Sequence, residues 1–387
     1  MSRVVLAMSG GVDSSVAAWL LREAGHEVVG VFMRHGQESE AGGGQDAGRD
    51  RGGTSARPKQ GCCSAADAAD ARRVAEMLGI PFYPLNFQQE FARIVDYFVE
   101  GYTAGRTPNP CIVCNTWLKF GKLFEYADSV GAELVATGHY ARLVTIPKPP
   151  PLAPLAGRGA GGEGVPGDGD EIALCRASDP SKDQSYVLFG IRRELLPRLK
   201  FPLGDHRKEE IRRIAGRLGL RVAEKRDSQE ICFVPDQDHA RFVRQRRGDT
   251  DTSGEIVTSG GTVVGRHDGL ERFTVGQRKG LGIAFGEPRY VVRIEPETRR
   301  VVIGPWEELT RSELIAAEAN WLIDEPAGPL ACQVKIRYRS RPVEATVQTL
   351  PGGRFRVDFR EPCHAIAPGQ AAVCYDGDRV LGGGWIE

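Results

Sequence analysis

The chain has 387 residues, too many for one compact core, so two or three domains are expected. Lys plus Arg and Asp plus Glu stand at 51 each, which excludes a uniformly basic nucleic-acid binder, yet from Arg192 to Arg247 sixteen Lys/Arg face nine Asp/Glu, so basic surface gathers past the middle of the chain. No apolar run approaches the ~20 residues of a membrane span and no charged, apolar leader precedes the first strand, and the nine scattered cysteines fit a reducing compartment better than a disulfide framework; a cytoplasmic protein without a membrane partner is expected.

The first element is an apolar strand, Val4 to Met8, that turns into a helix from Val12 to Ala24 across Ser9-Gly10-Gly11. Gly10 and Gly11 let backbone N–H groups approach an anion, the helix points its partly positive N-terminus at it, and Ser9, Ser14 and Ser15 add hydroxyls. Asp13 is an acid in a phosphate cradle, which makes sense where a hard cation such as Mg²⁺ arrives with the phosphates. No Gly-Lys-Ser/Thr closes the motif, so it is not a P-loop. The plain alternative is a glycine turn with a Ser/Asp cap. A second strand, Val28 to Met33, completes a β-α-β unit and with it a parallel sheet, whose ligands lie at the strands' carboxyl ends. Ala7, Met8, Ser9, Gly10, Gly11, Val12, Asp13 and Ser14 should therefore hold the phosphates. Met33 sits where it can pack on an adenine, although a Met there also reads as core.

His35 to Gln60 is rich in Gly, Ser, Arg and Asp without apolar period and reads as a flexible excursion. Cys62 and Cys63 read as structural, since neighbouring cysteines rarely both reach one ion. Ser64 caps a helix to Leu78, Pro81 to Leu85 is a strand, and Phe87 to Tyr102 is an amphipathic helix. In Gly105 to Asn115 two prolines predict an irregular loop that delivers Cys111 and Cys114 to a helix from Trp117 to Ser129, where a helix N-terminus favours the thiolate. This loop is built for chemistry or for a metal. Glu133 to Thr137 is another buried strand, with Gly138 and His139 at its ligand edge. Pro147 to Asp170 is a low-complexity Pro/Gly/Ala insert. Lys182-Asp183-Gln184 precedes a short helix, Lys208 to Leu218 is a basic helix, and Cys232 lies in an apolar, strand-like run that reads most simply as core. From Tyr290 on, short alternating strands read as a β-barrel, with Arg337-Tyr338 joining a guanidinium to an aromatic as RNA contacts do.

Taken together, Ser9 to Ser14, Gly105 to Asn115, Gly138 to Ala141, Lys182 to Tyr186, Asp227 to Phe233, Thr274 to Gly282 and Pro368-Gly369-Gln370 resemble, in identity and order, the bacterial tRNA-specific 2-thiouridylases, a family that uses an ATP pyrophosphatase loop. The resemblance implies an α/β fold: an ATP pyrophosphatase-type parallel-sheet domain over 1–201 with inserts at 36–60 and 147–170, a central α+β domain over 202–285, and a C-terminal β-barrel over 286–387. It implies that ATP, with Mg²⁺ held through Asp13 rather than by a protein cage, adenylates the C2 oxygen of the wobble uridine in tRNAs for Lys, Glu and Gln. By matching position, Cys114 is the catalytic nucleophile and Cys232 carries a persulfide from a sulfur-relay donor protein. Gly138 then belongs to the ATP site. Asn109, Pro110 and Cys111 face the target base, and His139, Lys182, Asp183, Gln184, Arg337, Tyr338 and Gln370 touch the tRNA. The family alternates between Asp and Cys at position 111, and this chain has the Cys form. A second reading makes Cys111, Cys114 and Cys232 the ligands of an iron–sulfur cluster, in a cluster-dependent tRNA thiolase or a redox-sensing RNA-binding protein.

Overall fold

The computed structural model describes residues 1–35, 64–147, 170–225, 227, 231–234 and 238–387. Cys62, Cys63 and nearly all of the two low-complexity inserts lie outside them.

Strand β1 (Arg3–Ala7), helix α1 (Val12–Glu23) and strand β2 (Glu27–Arg34) form the expected β-α-β unit, with β1 and β2 parallel. Helix α2 (Ala65–Met77) opens on a capping box in which Ser64 and Asp67 bond each other's backbone N–H, and leads into β3 (Phe82–Asn86) and α3 (Gln88–Thr103). A four-residue helix, α4 (Pro110–Val113), runs through a π-helical segment (Cys114–Lys122) into α5 (Leu123–Ser129) and strand β4 (Leu134–Thr137). Strands β5 (Ala141–Pro147) and β6 (Asp170–Arg176) make a hairpin, and β7 (Leu199–Lys200) closes a parallel sheet of order β3-β2-β1-β4-β7. Val4, Val5 and Leu6 of β1 are fully buried on both faces, as a central parallel strand requires. Val5, Val29, Val31 and Val135 face one core with α5, while Val4, Leu6 and Val28 face another with α1 and α2.

Helices α6 (Lys208–Arg217) and α7 (His239–Arg246) precede a four-stranded sheet of β8 (Gly254–Thr258), β9 (Val263–His267), β10 (Tyr290–Glu295) and β11 (Arg300–Gly304). The sequence reads β10 and β11 as the start of the barrel. They instead pair with each other and, through β11, with β8, because Val291, Val301 and Ile303 share a core with Ile256, Leu270 and Phe273. The barrel is antiparallel, built of β12 (Thr310–Trp321), β13 (Leu330–Lys335), β14 (Val343–Leu350), β15 (Arg354–His364), β16 (Ala371–Asp376) and β17 (Arg379–Ile386), and it closes where β12 pairs with both β15 and β17. No helix among the described residues is long and apolar enough to cross a membrane.

The hairpin β5–β6 joins the barrel sheet through an Arg379 to Cys175 pairing, so the N-terminal part of the chain adds strands to the C-terminal part. Its last registered pair is Pro147 with Asp170, the two ends of the second insert. Replacing 148–169 by a two-residue Asn-Gly turn should therefore leave melting temperature and activity close to those of the full chain, since the ends already face each other and loop length carries a weak entropic cost. A variant that fails to fold would show that the insert is structural.

Candidate active site

The phosphate loop forms where β1 meets α1. Gly10 has φ +72°, and a Cβ there would collide with the Asp67 carbonyl oxygen, so the turn and its packing on α2 both require glycine. Gly11 caps α1 without a side-chain bond, leaving the first N–H groups of the helix for an anion. The Ser14 hydroxyl accepts from Ser9 N–H at 3.1 Å, and Ser15 Oγ donates to the Gly11 carbonyl at 2.8 Å, which fixes the loop's shape. At the end of β4, a Cβ on Gly138 would lie 3.0 Å from Ser14 N; Gly138 thus serves the close approach of its strand to the first turn of α1. Met8 is buried, whereas Met33, at the carboxyl end of β2, bridges two apolar clusters.

Charged side chains converge on this loop from far along the chain. Lys208, only 7% exposed at the start of α6, donates to Asp13 Oδ1 and Oδ2 at 2.8 Å each and reaches Asp227 Oδ1 at 2.8 Å. Tyr140 Oη donates to Asp13 Oδ1 at 2.8 Å; burial, then Asp13 itself, pushes this phenol so far up that it stays a neutral donor. Asp227 also binds Lys182 at 2.7 Å and Arg212 at 3.0 Å. Burial alone would raise the Asp227 carboxyl, but bonds from Lys182 and Lys208 outweigh it and hold the group below the usual carboxylate range. On the α2 side, Lys225 donates to the Gly10 carbonyl at 2.9 Å and to Asp67 and Asp70 at 2.6 and 2.9 Å. Lys182, Lys208, Arg212 and Lys225 thus surround an anion cradle, held by acids until an anion competes for them.

The cysteine motif is more ordered than its prolines predict. Asn109 caps α4, its Oδ1 accepting from Ile112 N–H at 3.3 Å, and Pro110 takes the first helical position, where its fixed φ and missing N–H are no burden. Helix therefore begins well before Trp117. Cys111 is exposed in the first turn, and Cys114 begins the π-helical segment. Such a long π stretch is rare and is held by tertiary anchors: Leu118 and Phe120 are buried, and Asn115 Nδ2 donates to the Val187 carbonyl at 2.9 Å. The barrel braces the same loop, with Thr107 N–H donating to the Pro368 carbonyl at 2.8 Å and Gln370 Nε2 to the Thr107 carbonyl at 2.9 Å.

Cys232 lies in a turn rather than a strand, because Val234 N–H bonds back to the Ile231 carbonyl. Cys114 and Cys232 both pack on the cluster built by Phe91, Ile94, Val95 and Phe98 of α3, together with Met33. One apolar platform therefore supports the two cysteine segments and the end of β2.

The residues assigned to tRNA by resemblance are placed unequally. Tyr338, 39% exposed, lies in a turn just beyond β13, and burial, Asp183 and Cys111 all raise its phenol. Arg337 Nη2 donates to the carbonyls of Val275 and Ala365 at 2.8 and 2.7 Å, joining the central sheet's loop to the barrel. Asp183 accepts from Ala177 and Ser185 N–H, and Gln184 Oε1 from Tyr140 N–H, so both brace backbone. His139 is buried, with Nδ1 2.7 Å from Thr137 Oγ1 and Nε2 accepting from Lys119 at 3.4 Å. The sequence reading passed over Lys208, Lys225, Tyr140 and Asp227 as charge partners, and Trp117 as a surface. Trp117 is 48% exposed near Cys114, with the Arg93 guanidinium 5.7 Å from its ring centre.

Burial, then Lys119, holds His139 well below its ordinary pKa of 6.5, so the unfolded chain takes up this proton first. Its contribution to stability is complete above about pH 6.5 and is lost as pH falls below that. The melting temperature should accordingly drop between about pH 7 and pH 5, and His139→Gln should flatten that drop. An unchanged slope in the variant would contradict the assignment.

A parallel sheet with an anion cradle after its first strand, joined to a second sheet and a closed barrel, defines a multidomain nucleotide-binding protein. Residues 2–236 match the family described as the tRNA methyl transferase HUP domain, residues 240–305 the tRNA methyl transferase PRC-barrel domain, and residues 311–386 the aminomethyltransferase beta-barrel domain. The HUP match points to ATP use. The chain is 53% identical over 407 residues to the tRNA-specific 2-thiouridylase MnmA of Rhodopirellula baltica, covering 100% of this chain and 96% of that one. It is 49% identical over 386 residues to the enzyme of that name from Geobacter metallireducens, covering 100% and 96%, and 44% identical over 388 residues to that from Chloroflexus aggregans, covering 100% and 98%. The chain belongs to the tRNA-specific 2-thiouridylase family.

Proposed function

We propose that this chain is an ATP-dependent tRNA uridine 2-sulfurtransferase that replaces the C2 oxygen of the wobble uridine in tRNAs for Lys, Glu and Gln, working in the cytoplasm with a persulfide donor protein. The observation that carries this reading is the shared α3 platform, which gathers Cys114, Cys232 and Met33 from distant parts of the chain.

A carbonyl oxygen is a poor leaving group, so C2–O is first converted into an adenylate, with pyrophosphate as the product that the loop must stabilise. Gly10, Gly11 and the free end of α1 supply N–H donors, and Lys182, Lys208 and Lys225 supply charge. Mg²⁺ arriving with the nucleotide's phosphates would take Asp13 as its protein ligand and neutralise charge on the departing pyrophosphate. That fits one carboxylate at the first turn of α1.

In that route the terminal sulfur of the Cys232 persulfide attacks C2, and AMP leaves. The Cys114 thiolate then attacks the inner sulfur of Cys232, the S–S bond breaks, and its electron pair goes to the sulfur now on the uridine. A Cys114–Cys232 disulfide remains, which a dithiol reductant reopens. Trp117 and Tyr338 are exposed aromatics beside the cysteines and suit stacking on unpaired anticodon bases. The test is to incubate unmodified tRNA with the protein, ATP and a persulfide donor and to read the nucleosides by mass spectrometry. ATP-dependent 2-thiouridine supports the assignment, and its absence with folded protein refutes it.

A further inference from the structure

Val334 and Ile336 stand in the barrel core, so Lys335 between them, at the end of β13, points to the barrel's outer face. There its register partner Val373 shares a core with Tyr186 and Tyr375, and the Lys335 ammonium lies 5.7 Å from the centre of the Tyr186 ring. Among the described residues that ammonium has no hydrogen bond or ion pair. Arg176, at the end of β6, lies on the same seam: its guanidinium carbon is 4.2 Å from the centre of the Tyr375 ring, and its Nε and Nη2 are buried without a hydrogen bond among the described residues. Burial holds the Lys335 amine below its ordinary range; Asp183 opposes that shift and Arg176 adds to it. The Asp183 oxygens, however, already accept from Ala177 N–H, Ser185 N–H and Ser185 Oγ. Two half-buried cations thus share a seam in which the one acid acting on Lys335 is committed elsewhere, an arrangement that costs stability until an anion answers it. The Tyr186 ring is 6.3 Å from that of Tyr338, whose phenol feels the charge of both Asp183 and Cys111, which brings the cations into the neighbourhood of the cysteine loop.

Resting on the thiolation reading above, we propose that Lys335, supported by Arg176, binds a backbone phosphate next to the target uridine. A base taken out of an anticodon loop brings its own phosphates with it, and those that follow it toward the enzyme need a cation where water is scarce. A phosphate contact carries no sequence information; it fixes the register of the backbone, and with it the atom of the base that faces the cysteine loop. The seam between barrel and nucleotide domain then holds the sugar–phosphate chain, while Tyr338 is left to the base.

The test uses the full chain and whole tRNA. Lys335→Met keeps much of the side chain's length and removes its charge. Losing an ammonium without a partner should leave the melting temperature unchanged or raise it. Affinity for tRNA should fall roughly tenfold, and the slope of log affinity against log salt should flatten by about 0.7, the share of one single-stranded phosphate. Lys335→Arg should restore the slope. In tRNA carrying one uncharged methylphosphonate on either side of the wobble uridine, one of the two substitutions should weaken binding to the wild type by a similar factor and leave binding to Lys335→Met unchanged, because the pair is already broken. Arg176→Gln gives the same cycle if Lys335→Met does not fold. An unchanged salt slope, a lower melting temperature with unchanged tRNA affinity, or losses that add in full would overturn the phosphate site. Weaker ATP binding in the absence of tRNA, with the tRNA cycle flat, would hand the cations to the nucleotide's phosphates and overturn it as well. Wild-type protein that binds tRNA but makes no 2-thiouridine would instead overturn the thiolation reading, while the binding cycle still decides the phosphate site.

Discussion

Cys232→Ser should abolish persulfide loading and with it all thiolation, whereas Cys114→Ser should still load sulfur on Cys232 and release pyrophosphate but stop with the sulfur bridging enzyme and tRNA. Each variant removes one bond-forming step, so the expected loss in turnover is about the 10³-fold or more typical of deleting a nucleophile. Cys111→Ser should be tolerated, since no step calls on a third thiol and the exposed position demands little of packing. An iron–sulfur mechanism makes the opposite forecast: all three variants would lose iron, colour and thiolation together, because each removes a ligand. A dead, iron-free Cys111→Ser protein would overturn the persulfide route.

Asp13→Asn should preserve the fold but reduce tRNA-dependent pyrophosphate release by roughly 10²- to 10³-fold, the scale of losing one preorganised electrostatic group. The amide can still accept from Tyr140, but it no longer carries the charge that pairs Lys208. The ammonium is then left almost buried beside Asp227 alone, so nucleotide affinity and turnover should both change. Pyrophosphate release at the wild-type rate would remove the loop's acid from the mechanism.

The nucleotide domain was legible because its signals are local. Apolar runs of β1 and β2, the glycine pair between strand and helix, and Ser64 as a cap each act within a few residues. The parallel sheet and closed barrel follow from the same patterning. What failed was the choice between alternatives equal in local preference. Pro110 reads as a breaker, yet a proline at the first helical position is favoured, and only Asn109 as its cap tells the two apart. The run around Cys232 has the composition of a strand but folds as a turn on α3. Strands β10 and β11 alternate like barrel strands, and their neighbours are chosen by a core with β8 that no local pattern announces. The pairing of Lys208 with Asp13 spans 195 residues, and a lysine opening a basic helix looks like any solvated charge.

The central claim is that sulfur passes through Cys232 to the uridine and leaves a Cys114–Cys232 disulfide. It is tested most directly in a single turnover with protein preloaded as the Cys232 persulfide, unmodified tRNA and ATP, without donor or reductant, followed by nucleoside and peptide mass spectrometry. The account predicts 2-thiouridine in amount equal to the loaded sulfur and an equal amount of Cys114–Cys232 disulfide peptide. Thiouridine formed with both cysteines still reduced, or a persulfide that survives ATP and tRNA untouched, would contradict it.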